Sequence, residues 1–88
     1  MKTYAVLYNP LAGNGRGKEA SLALRTHLTD GEITFTDMTG ITDYAAYFAS
    51  LSPDTVLVIA GGDGTLNRFI NDADGLSLPA EIYYYAVG

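Results

Sequence analysis

The apolar run Val56-Leu57-Val58-Ile59-Ala60, followed at once by Gly61-Gly62-Asp63-Gly64-Thr65-Leu66-Asn67, constrains this chain more than any other feature. An apolar stretch bounded by glycine reads as a strand buried on both faces, and such strands belong to the interior of a parallel sheet. Beyond the glycines, Leu66, Phe69, Ile70 and Ala73 keep helical spacing up to Asp74-Gly75. The glycines therefore sit where a buried strand hands over to a helix. Three of them in four residues predict positive φ angles and a main chain that a ligand can approach closely. The N-terminus of the helix adds unpaired N–H donors and the positive end of its dipole, so an anion such as phosphate suits the position. Asp63 opposes phosphate unless its carboxylate holds a metal ion, accepts a proton, or bonds a sugar hydroxyl or a backbone amide. The competing reading is an ordinary glycine-rich turn with Asp63 as the helix cap.

The remaining chain supplies the elements around that junction. Tyr4 to Tyr8 is a short apolar run of β-formers, a first buried strand, and Asn9-Pro10 ends it. Pro10 biases Asn9 toward an extended conformation, so the Asn9 amide either bonds a nucleotide or closes the turn. The following loop carries alternating glycines, Gly13, Gly15 and Gly17, but Gly13 to Lys18 is too short for a P-loop and lacks its hydroxyl residue. Lys18 also stands where a dinucleotide fingerprint needs its third glycine. Arg16 and Lys18 are paired charges that either touch phosphate or mark a solvated loop tip. Ala20, Ala23, Leu24 and Leu28 predict a helix ending at Asp30-Gly31, with His27 on its surface. Glu32 to Thr36 alternates as a second strand with Ile33 and Phe35 on one face, and Tyr44, Tyr47, Phe48 and Leu51 mark the next helix. Between them Thr39 either contacts a ligand with its hydroxyl or is simply a turn residue. Ser52-Pro53-Asp54 precedes the central strand, and Glu81 to Val87 forms a fourth.

Strand and helix alternating in this way demand a parallel sheet with right-handed crossovers, an α/β, three-layer Rossmann-like fold with flanking helices. The loops after the first three strands then open at the carboxyl edge of the sheet, where open α/β folds bind ligands. A phosphate-bearing ligand, a nucleotide, held between the Asn9 loop and the Gly61 loop is what the residues alone support.

Composition narrows the partners. Eighty-eight residues make a single domain with one modest core. The chain contains no cysteine, which excludes disulfides and thiolate metal sites and leads us to expect an intracellular, cytoplasmic protein, and its one histidine cannot form a zinc site alone. A net charge of -5 without a basic cluster argues against nucleic acid. Neither a signal peptide nor a membrane-length apolar stretch is visible, so solubility is expected.

Asn9-Pro10-Leu11-Ala12-Gly13 and Gly61-Gly62-Asp63-Gly64-Thr65-Leu66-Asn67, in this order and separation, resemble the diacylglycerol kinase catalytic-domain family. That family includes bacterial lipid kinases and sphingosine kinases and is distantly related to NAD kinases. The glycine segment is the specific part, the Asn-Pro segment alone is weak, and together they span the chain as a scaffold. The resemblance implies an ATP site with magnesium, in which Asn9, Pro10, Leu11, Ala12 and Gly13 lie near the adenosine. Gly61, Gly62, Asp63, Gly64, Thr65, Leu66 and Asn67 would surround the phosphates. A threonine after the second strand also contacts ATP in the family; Thr39 fits that position best, with Thr36 as the alternative. Asp63 would act through magnesium or a water network, or on the acceptor hydroxyl as its equivalent does in NAD kinases. Members of the family continue past the fourth strand into a Gly-Thr-Gly-Asn-Asp-Phe-like segment and a second, mostly β domain with the lipid-binding surface and the main catalytic base. Residues 1–88 are thus expected to be the N-terminal nucleotide-binding domain of a lipid kinase, cut before that second domain, which would provide any peripheral membrane contact. The activity implied is transfer of the γ-phosphate of ATP to a lipid hydroxyl such as that of diacylglycerol. The alternatives are a sugar-hydroxyl kinase of the NAD kinase type and a non-catalytic nucleotide-binding or structural domain. Tyr83-Tyr84-Tyr85 puts aromatic side chains on both faces of a terminal strand, from which a homodimer is expected.

Overall fold

The computed structural model describes residues 2–76 and 81–87. In chain order the elements are β1 (Lys2–Tyr8), α1 (Ala12–Gly15), α2 (Gly17–Leu22), β2 (Gly31–Asp37), α3 (Tyr44–Ala49), β3 (Thr55–Gly61), α4 (Asp63–Asp72) and β4 (Glu81–Ala86), with 3-10 turns at Ala23–Thr26 and Met38–Gly40. All strand pairings are parallel, in the order β2-β1-β3-β4. The α/β, Rossmann-like reading of the sequence therefore holds, and β3, buried along its whole length, is central as its apolar run predicts.

Alternation along β1 and β3 divides the core in two. Ala5, Leu7, Leu57 and Ile59 face α3 and α4, where they meet Met38, Tyr44, Phe69 and Ala73. Tyr4, Val6, Tyr8, Val56, Val58 and Ala60 face the other way, toward Leu24, Ile33, Phe35 and Tyr85. The helix after β1 thus covers one face and the helices after β2 and β3 the opposite one. The chain leaves β1 toward β2 and leaves β3 toward β4, so the order reverses between the two central strands. That reversal opens a crevice at their carboxyl ends, outside Tyr8 and Gly61.

Several local expectations are corrected. The stretch after Asn9 is not an open glycine loop: Ala12–Gly15 makes a helical turn. Asn9 starts it, its carbonyl accepting from the Ala12 amide at 3.1 Å and its Oδ1 from the Leu11 amide at 3.0 Å. Gly15, at φ 86, then breaks the turn and re-aims the chain into α2. The expected helix to Leu28 is shorter, tightening into the 3-10 turn at Ala23–Thr26. At the glycine cluster, none of Gly61, Gly62 and Gly64 has positive φ. Gly61 closes β3, Gly62 is extended at φ -91 and ψ -175, and Gly64 already belongs to α4. Gly88, read as the first glycine of the Gly-Thr-Gly-Asn-Asp-Phe-like segment, lies outside the described residues.

Candidate functional site

At the crevice between β1 and β3, a hydrogen bond ties the two loops of interest together. The Asn9 amide Nδ2 donates to Thr65 Oγ1 at 2.9 Å across 56 residues of sequence. The Asn9 backbone N–H donates to the Ala60 carbonyl at 3.1 Å, so this residue pins the end of β1 to the end of β3. With Oδ1 on Leu11 as well, the Asn9 side chain closes its own turn and latches the loops at once. Turn closure, one of the two sequence readings for Asn9, is present in this geometry, and Asn9 also lines the cavity beside it. Thr65 is 5% exposed and packs directly over Gly61, where an added Cβ would lie 2.5 Å from the Thr65 side chain. Gly61 is therefore glycine because Thr65 needs the space, not because of its φ. Its carbonyl accepts from the Tyr84 hydroxyl and the Val87 amide, both at 2.9 Å.

Gly62 and Gly64 differ from Gly61. A Cβ at either would meet nothing within 4 Å. Their bare main chain faces open space at the start of α4. Gly62 is the N-cap residue and no side chain caps the helix, so Asp63 is its first residue and not its cap. The amides of Thr65 and Leu66 return to the Gly62 carbonyl at 3.0 and 3.2 Å, while among the described residues those of Asp63 and Gly64 have no protein acceptor. Two free donors at the positive end of a ten-residue helix form an anion seat. Asp63 is exposed and, among the described residues, bonded to no other side chain. Its charge near the helix N-terminus is favourable by about 0.3–1 kcal/mol.

Asn9, Met38, Thr39, Gly64, Thr65 and Arg68 enclose a cavity of about 200 Å³ here. Full ligand pockets run to roughly 300–1,000 Å³, so this one is smaller than a complete ligand site. Thr39 stands on its wall because Asp37 Oδ1 accepts from both the Thr39 amide (2.9 Å) and the Thr39 hydroxyl (2.6 Å), fixing the 3-10 turn after β2. Thr36 lies elsewhere, in a hydroxyl-lined groove beside Tyr47 and Thr34. The remaining sequence candidates are peripheral to the cavity. Pro10 is half-buried, Leu11 is 76% exposed, Ala12 and Gly13 lie within α1, Leu66 is half-buried and Asn67 is exposed. Arg16 and Lys18 are exposed and do not line it.

Two wall residues escaped the sequence reading. Met38 looked like an ordinary loop residue and is buried at 6% exposure. Arg68 has a signal that was available: it follows Gly64 by four residues, so one helical face carries both. Among the described residues, no group of three or more His, Cys, Asp or Glu gathers to hold a metal ion. Magnesium does not need one, since one or two carboxylates plus ligand phosphates and water are its usual shell, and the unpaired carboxylate of Asp63 fits that pattern. No described helix is long and apolar enough to cross a membrane.

The sequence matches the family model for the diacylglycerol kinase catalytic domain over residues 3–88. No curated protein and no solved structure matches it.

Proposed function

The chain belongs to the diacylglycerol kinase catalytic-domain family, and from that premise we propose that residues 1–88 are the ATP-binding part of a lipid kinase. The reaction would move the γ-phosphate of ATP to a lipid hydroxyl. The observation that carries the reading is the Asn9–Thr65 latch, which joins the family's two signature segments over one cavity beside the free amides of α4. Phosphoryl transfer asks little covalent chemistry of the protein; it needs positioning and neutralised charge. The amides of Asp63 and Gly64 would receive phosphate oxygens. Thr65 accepts from Asn9 and keeps its own hydroxyl proton to give to a ligand. Thr39 and Asn9 would bound the nucleotide, with Pro10, Leu11, Ala12 and Gly13 toward the adenosine and Leu66 and Asn67 behind the phosphate turn. Asp63 would hold magnesium, directly or through water, and that ion would spread the phosphate charge during transfer. The main base and the lipid contacts would come from a following domain, which would also make any contact with a membrane surface from the cytoplasmic side. The exposed β4 edge would support a homodimer.

Calorimetric titration with ATP and magnesium tests the reading, with Gly62→Val as the control. A Cβ at Gly62 meets no protein atom within 4 Å and the backbone there is extended, so the variant should keep the fold while its methyls crowd the seat. Saturable binding by the wild-type chain that Gly62→Val abolishes is the expected result. Equal binding by both would remove the glycine turn from the site.

A further inference from the structure

We propose that Arg68 is the cationic arm of this anion seat, held in reserve by Asp72, and that the seat is therefore built for a polyphosphate and not for a neutral or singly charged group. The inference rests on the nucleotide reading above and adds to it the source of positive charge. The chain carries a net charge of -5 and five basic residues. Lys2 is spent at the other end of β1, 4.0 Å from Asp30, and Arg25 lies over the Phe35 ring at 5.1 Å. Arg16 and Lys18 are exposed outside the cavity. Arg68 alone among them is on its wall, one turn along α4 from Gly64 and on the same face.

Its present partner is weakly held. Arg68 Nε lies 3.7 Å from Asp72 Oδ2, with side chains 72% and 47% exposed, a spacing and exposure typical of pairs that exchange readily. Asp72 is also the last residue of α4, where a negative charge opposes the helix dipole. An acid at that end does nothing for the helix, and its pairing with Arg68 accounts for it. Helical side chains lean toward the N-terminus, so an Arg68 released from Asp72 swings back toward Gly64 and the free amides. A guanidinium there reads two phosphate oxygens at once, which a lone amide cannot do.

The test is ATP binding, with magnesium, at low and high salt by the wild type, Arg68→Gln and Asp72→Asn. Arg68 is exposed, so circular dichroism should show unchanged folding. We expect Arg68→Gln to bind about tenfold more weakly and to lose less affinity as salt rises. Asp72→Asn, which frees the arm, should bind about twofold more tightly. Wild-type affinity and salt dependence in Arg68→Gln would overturn the proposal while leaving the nucleotide reading intact. So would a weaker Arg68→Gln with an unchanged salt slope, since that marks a structural role. Failure of the wild type to bind ATP at all would overturn the nucleotide reading and this proposal with it.

Discussion

Tyr4 shows how a single buried side chain can set a pH window. Its ring lies in the core at 5% exposure, yet its hydroxyl reaches the rim and donates to Asp30 Oδ1 at 2.7 Å. That bond, with burial and the Asp30 charge behind it, pushes the phenol up to about 12. The same bond holds the Asp30 carboxyl below its ordinary value, with Lys2 helping. The signs follow from linkage. A depressed carboxyl contributes stability above the unfolded value near pH 4, lost as pH falls through the folded one; a raised phenol contributes below about pH 10, lost as pH climbs toward about 12. Urea unfolding of the wild type and Tyr4→Phe across pH 2 to 9 should show the largest difference at neutral pH and a shrinking one toward pH 2. A difference constant across that range would assign the loss to packing instead of the hydrogen bond. Residue-scale detail of this kind is invisible in sequence, because Tyr4 and Asp30 meet only once β1 and β2 are paired in register.

At the scale of elements, glycines of one composition carry three different structural demands. A Cβ at Gly17 would lie 1.7 Å from the Asn9 carbonyl oxygen, against backbone that cannot move without breaking the latch. At Gly61 the obstacle is the Thr65 side chain at 2.5 Å, and at Gly64 there is none within 4 Å. Alanine substitution should therefore cost about 3 kcal/mol or more at Gly17 and about 1–3 kcal/mol at Gly61. At Gly64, inside a helix, it should stabilise by about 0.5–1 kcal/mol while weakening ATP binding. Guanidinium melts rank the three. A destabilised Gly64→Ala would contradict the open cradle. The sequence announced these glycines but not their reasons: it read Gly61, Gly62 and Gly64 as sources of positive φ, whereas α4 begins two residues after β3 ends and leaves no room for a loop. The apolar run of β3 was legible because burial on both faces leaves a continuous signal. Asn9, Thr39, Gly64 and Thr65 were legible as site candidates from their places at strand ends. Arg68 was missed although its spacing of four residues from Gly64 was there to read, because that spacing has meaning only once α4 is known to start at Asp63, and the glycines obscured that start.

For the whole molecule, the two sheet edges are unequal. β2 is flanked and dotted with acids, Asp30, Glu32 and Asp37, while β4 offers Ile82, Tyr83 and Tyr84 at 36%, 56% and 38% exposure with only Glu81 beside them and neither lysine nor proline in the strand. An edge without those protections pairs with another edge. Opposing it is the net charge of -5 on each copy, which repels over about a Debye length, roughly 10 Å at 0.1 M salt. Apolar contact at the strand is short-ranged and insensitive to that screening, so salt should tip the balance toward association. Sedimentation velocity at rising protein concentration should show a monomer at low salt and a monomer–dimer exchange at 0.5 M salt. Tyr83→Lys, which places a charge at the most exposed point of the strand, should stay monomeric under both conditions. Its ring faces away from α4 and, among the described residues, its hydroxyl bonds only Glu81, at 3.0 Å, so the substitution should leave the proposed nucleotide site untouched and ATP affinity unchanged. Dimerisation that persists in Tyr83→Lys would place the contact elsewhere, and a wild type that stays monomeric at high salt and concentration would show that charge is not what keeps the copies apart.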